Sequence, residues 1–264
     1  MTFGRFNGQV LHFADENAGQ GTAIVFANSL GTDFRIWDGV VSHLGSGRRL
    51  LRHDLRGHGL SDAPPAPYTI DDHAADLEAL LDARGIKAAL VVGLSVGGLI
   101  AQSLAARRPD LVRALVLCDT AHRIGTADSW NARIDAVRAG GIASIADAIL
   151  ERWFSKGYRT TMRDDLAGYR SMLTRTPVEG YVGTCAALRD GDLTATTRTL
   201  TQATLCVVGE EDGATPPDLV RAMSALIPGA GFEIIAGAGH LPCIESPALM
   251  AARIGAFAKE NLGV

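Results

Sequence analysis

The stretch from Ala88 to Arg107 constrains the fold more than any other part of the chain. Its first part, Ala88 to Val92, is a continuous apolar run, which is typical of a strand buried on both faces of a parallel sheet. Its second part, Val96 to Arg107, has apolar residues spaced three and four apart, and Pro109 follows it. The sequence therefore predicts a buried strand that passes directly into a helix.

Between this strand and this helix lies Gly93-Leu94-Ser95-Val96-Gly97, which matches the pattern G-x-S-x-G. A strand that turns at once into a helix has to hold its serine in a strained conformation with a positive φ. The two glycines lack a Cβ, so neighbouring chain can pass close to the turn. Such a turn presents the hydroxyl of Ser95 at a helix N-terminus, where the free N–H of Val96 faces a developing oxyanion.

The same five residues also have a plainer explanation, a glycine-rich turn without any chemistry. A phosphate loop is disfavoured, because neither G-x-x-x-x-G-K-[ST] nor G-x-G-x-x-G is present there.

Nucleic acid is not an expected partner of this chain, since the net charge is −4 and no basic block occurs. No membrane association is expected, because no run approaches the roughly 18 apolar residues of a membrane span.

The cysteines and the N-terminus predict a cytoplasmic protein. The first residues, MTFGRF, lack the apolar core of a signal peptide. The four cysteines are widely spaced and form no C-x-x-C, so we expect free buried thiols in a reducing compartment. The seven histidines form no H-x-x-x-H cluster, which disfavours a metal hydrolase, and we predict no metal site.

Strands and helices alternate along most of the chain but not in its middle. Residues 121–198 contain four predicted helical segments, at 129–139, 142–153, 163–174 and 178–189, and no buried strand. We therefore predict an α/β core domain, formed by residues 1–120 and 199–264. An all-helical cap, residues 121–198, is inserted in this core and is expected to cover the strand ends.

Three polar residues, Ser95, Asp212 and His240, come just after three different predicted strands. The carboxyl ends of parallel strands build the site in such sheets. A serine hydroxyl needs a base to take its proton, a histidine suits that task, and a carboxylate behind the histidine fixes its tautomer. The order Ser, Asp, His is that of the α/β-hydrolases, so we predict a serine hydrolase. Glu210 and Glu211 compete with Asp212 for the role of the acid.

A second oxyanion donor is expected from the loop that follows the predicted strand 22–27. This loop reads NSLGTD and leaves a strand end beside Ser95, so the N–H of Leu30 is the most suitable second donor. An ordinary strand-to-helix turn that uses Gly31 is the alternative. His53 and His58 lie in a loop rich in small residues, and we interpret them as structural.

Along nearly its whole length the chain resembles the 3-oxoadipate enol-lactonases of the α/β-hydrolase fold. The elbow, the D-x-R-G-H-G loop and the G-x-G-H-x-x-x-x-E stretch belong to the whole superfamily, whereas the cap stretches 175–181 and 185–190 are more particular. Asn28-Ser29 departs from the superfamily, in which many members have His-Gly. The matching stretches are 26–37 (FANSLGTDFRIW), 54–62 (DLRGHGLSD), 93–102 (GLSVGGLIAQ), 115–120 (LVLCDT), 124–130 (IGTADSW), 175–189, 209–217 (GEEDGATPP) and 237–245 (GAGHLPCIE).

The resemblance implies an α/β-hydrolase fold, with a mostly parallel eight-stranded sheet flanked by helices and an inserted helical cap. It implies hydrolysis of 3-oxoadipate enol-lactone to 3-oxoadipate in the β-ketoadipate pathway, through an acyl-enzyme on Ser95 and without a cofactor. The small-molecule substrate carries a carboxylate. Trp130 and Arg133, three apart on a predicted cap helix, share a face, so Arg133 is expected to bind this carboxylate and Trp130 to wall the pocket. A solvated arginine beside a core tryptophan is the alternative.

Other functions remain compatible with the same residues. The triad also serves small-ester hydrolases, perhydrolases and carbon–carbon bond hydrolases of ring-cleavage products, and the fold does not separate these. A ligand receptor on this fold is the alternative from a different class. The sequence carries no indication of the oligomeric state.

Overall fold

The computed structural model describes residues 1–19 and 21–263, and its centre is one eight-stranded sheet with the order β1-β2-β4-β3-β5-β6-β7-β8. The pairs β1–β2 and β2–β4 are antiparallel, and all other pairs are parallel. The strands are β1 (Thr2–Phe6), β2 (Gln9–Glu16), β3 (Ala23–Ala27), β4 (Arg49–His53), β5 (Ala89–Leu94), β6 (Val112–Cys118), β7 (Ala203–Gly209) and β8 (Gly231–Ile235).

Helices connect the parallel strands and cover the sheet. Short 3₁₀ helices, Phe34–Trp37 and Ile142–Ser144, precede α1 and α5. The α-helices among the described residues are α1 (Asp38–Leu44), α2 (Ile70–Ala83), α3 (Val96–Arg107), α4 (Ala127–Gly140), α5 (Ala146–Trp153), α6 (Lys156–Thr161), α7 (Arg163–Thr174), α8 (Val178–Asp190), α9 (Thr194–Arg198), α10 (Pro217–Ser224), α11 (Pro242–Glu245) and α12 (Pro247–Leu262).

The core lies around the central strands. Every residue of β3 and β5 is buried, as expected for continuous apolar runs in a parallel sheet. Helix α3 packs on β5 and β6, and so does α12, while α2 packs on α3 and α1 on α12. This burial makes the strands rigid, so the residues just after their carboxyl ends have fixed positions.

The middle of the chain, between β6 and β7, contains helices α4 to α9 and no strand in the part that the structure describes. Helix α7 spans the predicted residues, and α4 and α8 differ from the prediction by one or two residues at their ends. Helices α6 and α9 were not predicted, because six and five residues are too few to show a helical period.

Two further features of the described residues bear on the predictions made above. Each of the four cysteines is buried and free, which agrees with the expected free thiols. Nowhere in residues 1–19 and 21–263 is a helix both long enough and apolar enough to cross a membrane.

Candidate active site

The turn between β5 and α3 has the strained geometry that the sequence predicts. Ser95 has φ 57° and ψ −118°, a conformation that L-residues rarely adopt. A Cβ on Gly93 would lie 2.3 Å from the carbonyl oxygen of Gly97, and a Cβ on Gly97 would lie 2.3 Å from that of Ala27. Both contacts are far too short, so any side chain at either glycine would push the turn apart.

Hydrogen bonds to the neighbouring strand hold this strained turn in place. The N–H of Ser95 donates to the carbonyl of Cys118 over 3.0 Å, and the hydroxyl of Thr120 donates to the carbonyl of Ser95 over 2.6 Å. Both partners come from the end of β6, which pairs with β5. The serine side chain is thereby fixed at the N-terminus of α3.

Asp212 and His240, which follow β7 and β8, are hydrogen-bonded to each other. The Nδ1 of His240 lies 3.0 and 2.9 Å from the two carboxylate oxygens of Asp212, and both residues are buried. Asp212 also accepts from the N–H groups of Ala214 and Thr215, at 2.7 and 2.9 Å, and from the hydroxyl of Thr215 at 2.6 Å. With Nδ1 on the carboxylate, Nε2 is the ring nitrogen that remains to take a proton from a hydroxyl.

The surroundings of Asp212 keep this carboxyl group ionised. Burial alone would raise the pKa of Asp212, but the charge of His240 and the hydrogen bonds from His240 and Thr215 outweigh it. The pKa of Asp212 therefore lies well below its ordinary value of 3.8. An ionised carboxylate at this place stabilises the imidazolium that forms when the histidine acts as a base.

The two other candidates for the acid lie elsewhere. A carboxylate oxygen of Glu210 accepts from the N–H of Gly237 over 2.9 Å, and one of Glu211 accepts from the N–H of Lys156 over 3.0 Å. Both glutamates therefore hold loops together, and Asp212 is the one of the three that contacts the histidine.

Ser95 and His240 open into one cavity of about 180 Å³. The core side of its lining includes Ser29, Leu30 and Ala214 besides the serine and the histidine. The other side comes from the region between β6 and β7, with the lining residues Ile124, Gly125, Ser129, Trp130, Arg133, Ile149, Arg152, Trp153, Tyr181 and Leu188. Ser95 and His240 therefore share one cavity with side chains from the region between β6 and β7.

The loop that was expected to carry a second oxyanion donor borders this cavity. Leu30 lies in its lining together with Ser95. Asn28, which departs from the superfamily pattern, anchors the loop: its Nδ2 donates to the carbonyl of His53 over 2.7 Å, and its Oδ1 accepts from Trp37 over 2.9 Å. Val96 is the first residue of α3, where a backbone N–H has no partner within the helix.

Trp130 and Arg133 share one face of α4, and both line the cavity. The indole N–H of Trp130 donates to the carbonyl of Ile124 over 2.6 Å, and the guanidinium carbon of Arg133 lies 4.9 Å from the centre of the indole ring. The ring is therefore held by its own hydrogen bond and in turn supports the arginine.

Hydrogen bonds tie the loops that carry Asp212 and His240 to the region between β6 and β7. Nε of Arg152 donates to the carbonyl of Gly213 over 3.0 Å. Glu245 accepts from the N–H of Gly239, next to the histidine, over 2.8 Å, and also from the N–H and hydroxyl of Ser155. The glutamate of the G-x-G-H-x-x-x-x-E stretch therefore couples the histidine loop to the end of α5.

Comparisons with known proteins place the chain in a family. A model of the alpha/beta hydrolase fold matches residues 22–140. The 3-oxoadipate enol-lactonase 1 of Acinetobacter baylyi is 36% identical over 85% of this chain and 84% of its own length. This chain belongs to the α/β-hydrolase family, in the group of the enol-lactonases.

Solved structures show the same relationship for this hydrolase. The crystal structure of the enol-lactonase from Burkholderia xenovorans LB400 has a TM-score of 0.94 at 35% identity, covering 98% of this chain and 100% of that one. A thermophilic esterase from Thermogutta terrifontis, solved with malate bound, has a TM-score of 0.93 at 26% identity, covering 99% and 100%. The predicted fold class, a mostly parallel eight-stranded α/β-hydrolase sheet, is confirmed.

Sequence reasoning missed three residues at the site of this hydrolase. Arg152 and Tyr181 line the cavity, but nothing in their local sequence distinguishes them from other residues of amphipathic helices. Asp119 lies beside Asp212 and His240 and did carry a signal, because it is a polar residue placed directly after the buried strand β6. One ligand atom each of Asp119, Asp212 and His240 lies within 4.8 Å of the others, the only such metal-compatible group among the described residues.

Proposed function

We propose that this hydrolase opens 3-oxoadipate enol-lactone to 3-oxoadipate, a step of the β-ketoadipate pathway, through an acyl-enzyme on Ser95. The observation that carries the proposal is the cavity in which Ser95 and His240 meet two arginines, Arg133 and Arg152. A small ester that carries a carboxylate suits this lining, because Ser95 and His240 can act on the ester while the arginines bind the carboxylate. The name of the Acinetobacter baylyi relative, 3-oxoadipate enol-lactonase 1, supports the same substrate, and the similar Burkholderia protein is named an enol-lactonase.

In the first half of the reaction Ser95 Oγ attacks the carbonyl carbon of the lactone while Nε2 of His240 takes the hydroxyl proton. The oxyanion is bound by the N–H groups of Val96 and Leu30. The ring C–O bond then breaks, and the enol oxygen leaves with the proton from His240. The leaving group stays attached to the acyl chain and ketonises there.

In the second half a water molecule attacks the acyl-enzyme, and His240 takes its proton. The ester bond to Ser95 breaks, the serine regains a proton from the imidazolium, and 3-oxoadipate is released. Throughout, Asp212 keeps Nδ1 of His240 protonated and stabilises the imidazolium. All atoms of lactone and water are accounted for, and the reaction uses no cofactor.

The charge of the cavity favours an anionic substrate. Its lining contains Arg133 and Arg152 but no acidic side chain among the described residues. Burial and the charge of Arg133 both lower the pKa of Arg152, yet a guanidinium remains protonated in proteins. A carboxylate bound between these two neighbouring cations would reduce the electrostatic repulsion between them.

Replacing Arg133 by alanine tests the carboxylate contact. We expect KM for the enol-lactone to rise by about 10–100-fold with a much smaller change in kcat, because a charged hydrogen bond is lost from substrate binding. Steady-state kinetics measure the effect. Arg138→Ala is the matched control, since Arg138 is exposed on the same helix outside the cavity lining. An unchanged KM in Arg133→Ala would refute this assignment.

The loss of enol-lactone ultraviolet absorbance with purified protein tests the proposed function as a whole. Rapid turnover supports the lactonase. If the lactone persists while simple phenyl esters are cleaved, the protein is an esterase of this family instead. Slow single turnover with retained product would mark a receptor.

We place the reaction in the cytoplasm, because four buried free cysteines suit a reducing compartment.

A further inference from the structure

Asp119 occupies a strained and fully buried position next to the triad. It follows β6 directly, has φ 47° and is 0% exposed. Its N–H donates to the carbonyl of Val207, and its Oδ1 accepts from the N–H of Gly209, both over 2.8 Å. A non-glycine residue keeps a positive φ only where the surrounding structure holds it there. The backbone bonds to β7 therefore fix Asp119, and its carboxyl group lies close to that of Asp212.

The second oxygen of Asp119 has no donor from the chain. No hydrogen-bond partner for Oδ2 exists among residues 1–19 and 21–263, although the atom is buried. An ionised carboxylate with an unbonded buried oxygen is costly. A protonated carboxyl group at the same place carries its own O–H donor. The acceptor that faces it is Asp212, which has a carboxylate oxygen within 4.8 Å of an Asp119 oxygen, and a hydrogen bond between the two side chains is among the causes that raise the pKa of Asp119.

The charges that face Asp119 also favour its neutral form. Asp212 lies on the loop after β7, and Glu245 on α11, while His240 precedes that helix and is the one basic group of the cluster. Burial and the negative charge of Asp212 raise the pKa of Asp119, and Glu245 adds to this. The buried thiols of Cys118, which precedes Asp119 in the chain, and of Cys243 are further titratable neighbours.

Two carboxyl groups that share a site divide into one ionised and one protonated group. The division is visible here, because Asp212 accepts three hydrogen bonds from Ala214 and Thr215 and is bonded to His240, whereas Asp119 accepts one hydrogen bond, from Gly209. Their pKa values move apart accordingly, downward for Asp212 and upward for Asp119.

We propose that Asp119 is a positioning residue of the triad, whose protonated carboxyl group donates a hydrogen bond from Oδ2 to the carboxylate of Asp212. This bond holds Asp212 against Nδ1 of His240 and keeps a single negative charge behind the histidine. The inference rests on the proposed role of Ser95, Asp212 and His240, but not on the identity of the lactone. Hydrolysis of 4-nitrophenyl acetate therefore tests it independently of the substrate.

Two substitutions separate the proton from the shape of the side chain. Asp119→Asn keeps an acceptor for Gly209 and a neutral donor for Asp212, so we expect kcat/KM to stay within about threefold of the parent and the acid limb of its pH profile to stay in place. Asp119→Leu removes both the donor to Asp212 and the acceptor for Gly209, so we expect kcat to fall by about 10–100-fold with little change in KM. Asp54→Asn, at another buried carboxyl group outside the cavity, controls for loss of stability.

Three results would overturn the proposal. The first is a downward shift of the acid limb by about one pH unit or more in Asp119→Asn, since this would reveal a lost negative charge. The second is equal activity of the Asn and Leu variants. The third result does not depend on enzyme activity. It is an infrared difference spectrum, parent minus Asp119→Asn at neutral pH, that lacks the carbonyl stretch of a protonated carboxyl group. Ester cleavage that survives Ser95→Ala would instead reject the triad itself.

Discussion

Replacing Ser95 by alanine should lower kcat for the enol-lactone by roughly 10⁴-fold or more, because the acyl-enzyme has no oxygen on which to form. The fold should survive, since the backbone of Ser95, not its hydroxyl, makes the bonds that hold the turn: its N–H donates to the carbonyl of Cys118, and its carbonyl accepts from the hydroxyl of Thr120. Alanine at position 95 still has to adopt φ 57°, so the backbone strain of the turn remains. Because alanine is smaller than serine, the substitution introduces no steric clash. Loss of ultraviolet absorbance of the lactone at saturating substrate measures kcat.

A matched serine on the same helix controls for this substitution. Ser103 lies on α3, is buried and donates to Asp71 over 2.7 Å, but it is outside the cavity lining. Ser103→Ala should leave kcat close to that of the parent. A Ser95→Ala variant with near-normal turnover would reject the acyl-enzyme.

The second large effect concerns stability in mild acid. His53, His58 and His73 are all buried near the loop after β4, and burial lowers their pKa values, to about 4 for His53 and His58 and well below 6.5 for His73. Below the ordinary pKa of 6.5 the unfolded chain binds protons that the folded chain does not. The free energy of unfolding therefore falls as the pH drops from 6.5 towards 4, by about 2 kcal/mol each for His53 and His58 at pH 5, and His73 acts in the same direction.

Asp119 acts in the opposite direction. Its raised pKa means that the folded chain holds a proton that the unfolded chain has lost at neutral pH, so its contribution becomes more favourable as the pH falls. The histidine contribution is therefore best measured as a difference between variants. Urea unfolding at pH 7 and pH 5 provides the two free energies for each protein.

In His53→Gln and His58→Gln the loss of unfolding free energy between pH 7 and pH 5 should shrink by about 2 kcal/mol each, whatever the absolute stability. His43, exposed on α1, supplies the control, because His43→Gln should leave this difference unchanged. A pH difference that stays the same in both buried-histidine variants would show that these side chains do not remain neutral in the folded protein.

Local patterns predicted the elements that carry the candidate site. Helix α3 spans Val96–Arg107 as expected, because its apolar period and Pro109 mark both ends, and β6 spans Val112–Cys118 for the same kind of reason. The strained φ of Ser95 also followed from the sequence, since a strand that runs straight into a helix leaves few conformations for the joining residue.

The choice among neighbouring carboxylates needed the tertiary structure. Glu210, Glu211 and Asp212 are consecutive, and only the course of the loop after β7 decides which of them meets His240. A turn of this kind changes direction within one residue, so adjacent side chains point to different partners.

By itself, the sequence determined the α/β class of this hydrolase, the serine elbow and the strand ends where polar groups gather, because these depend on steric and apolar patterns within about twenty residues. Only the tertiary structure decided that Arg152 joins Arg133 at one cavity and that Asp119 lies against Asp212. Such contacts join segments far apart in the chain. Their distances depend on how the sheet and helices pack, which no local pattern specifies.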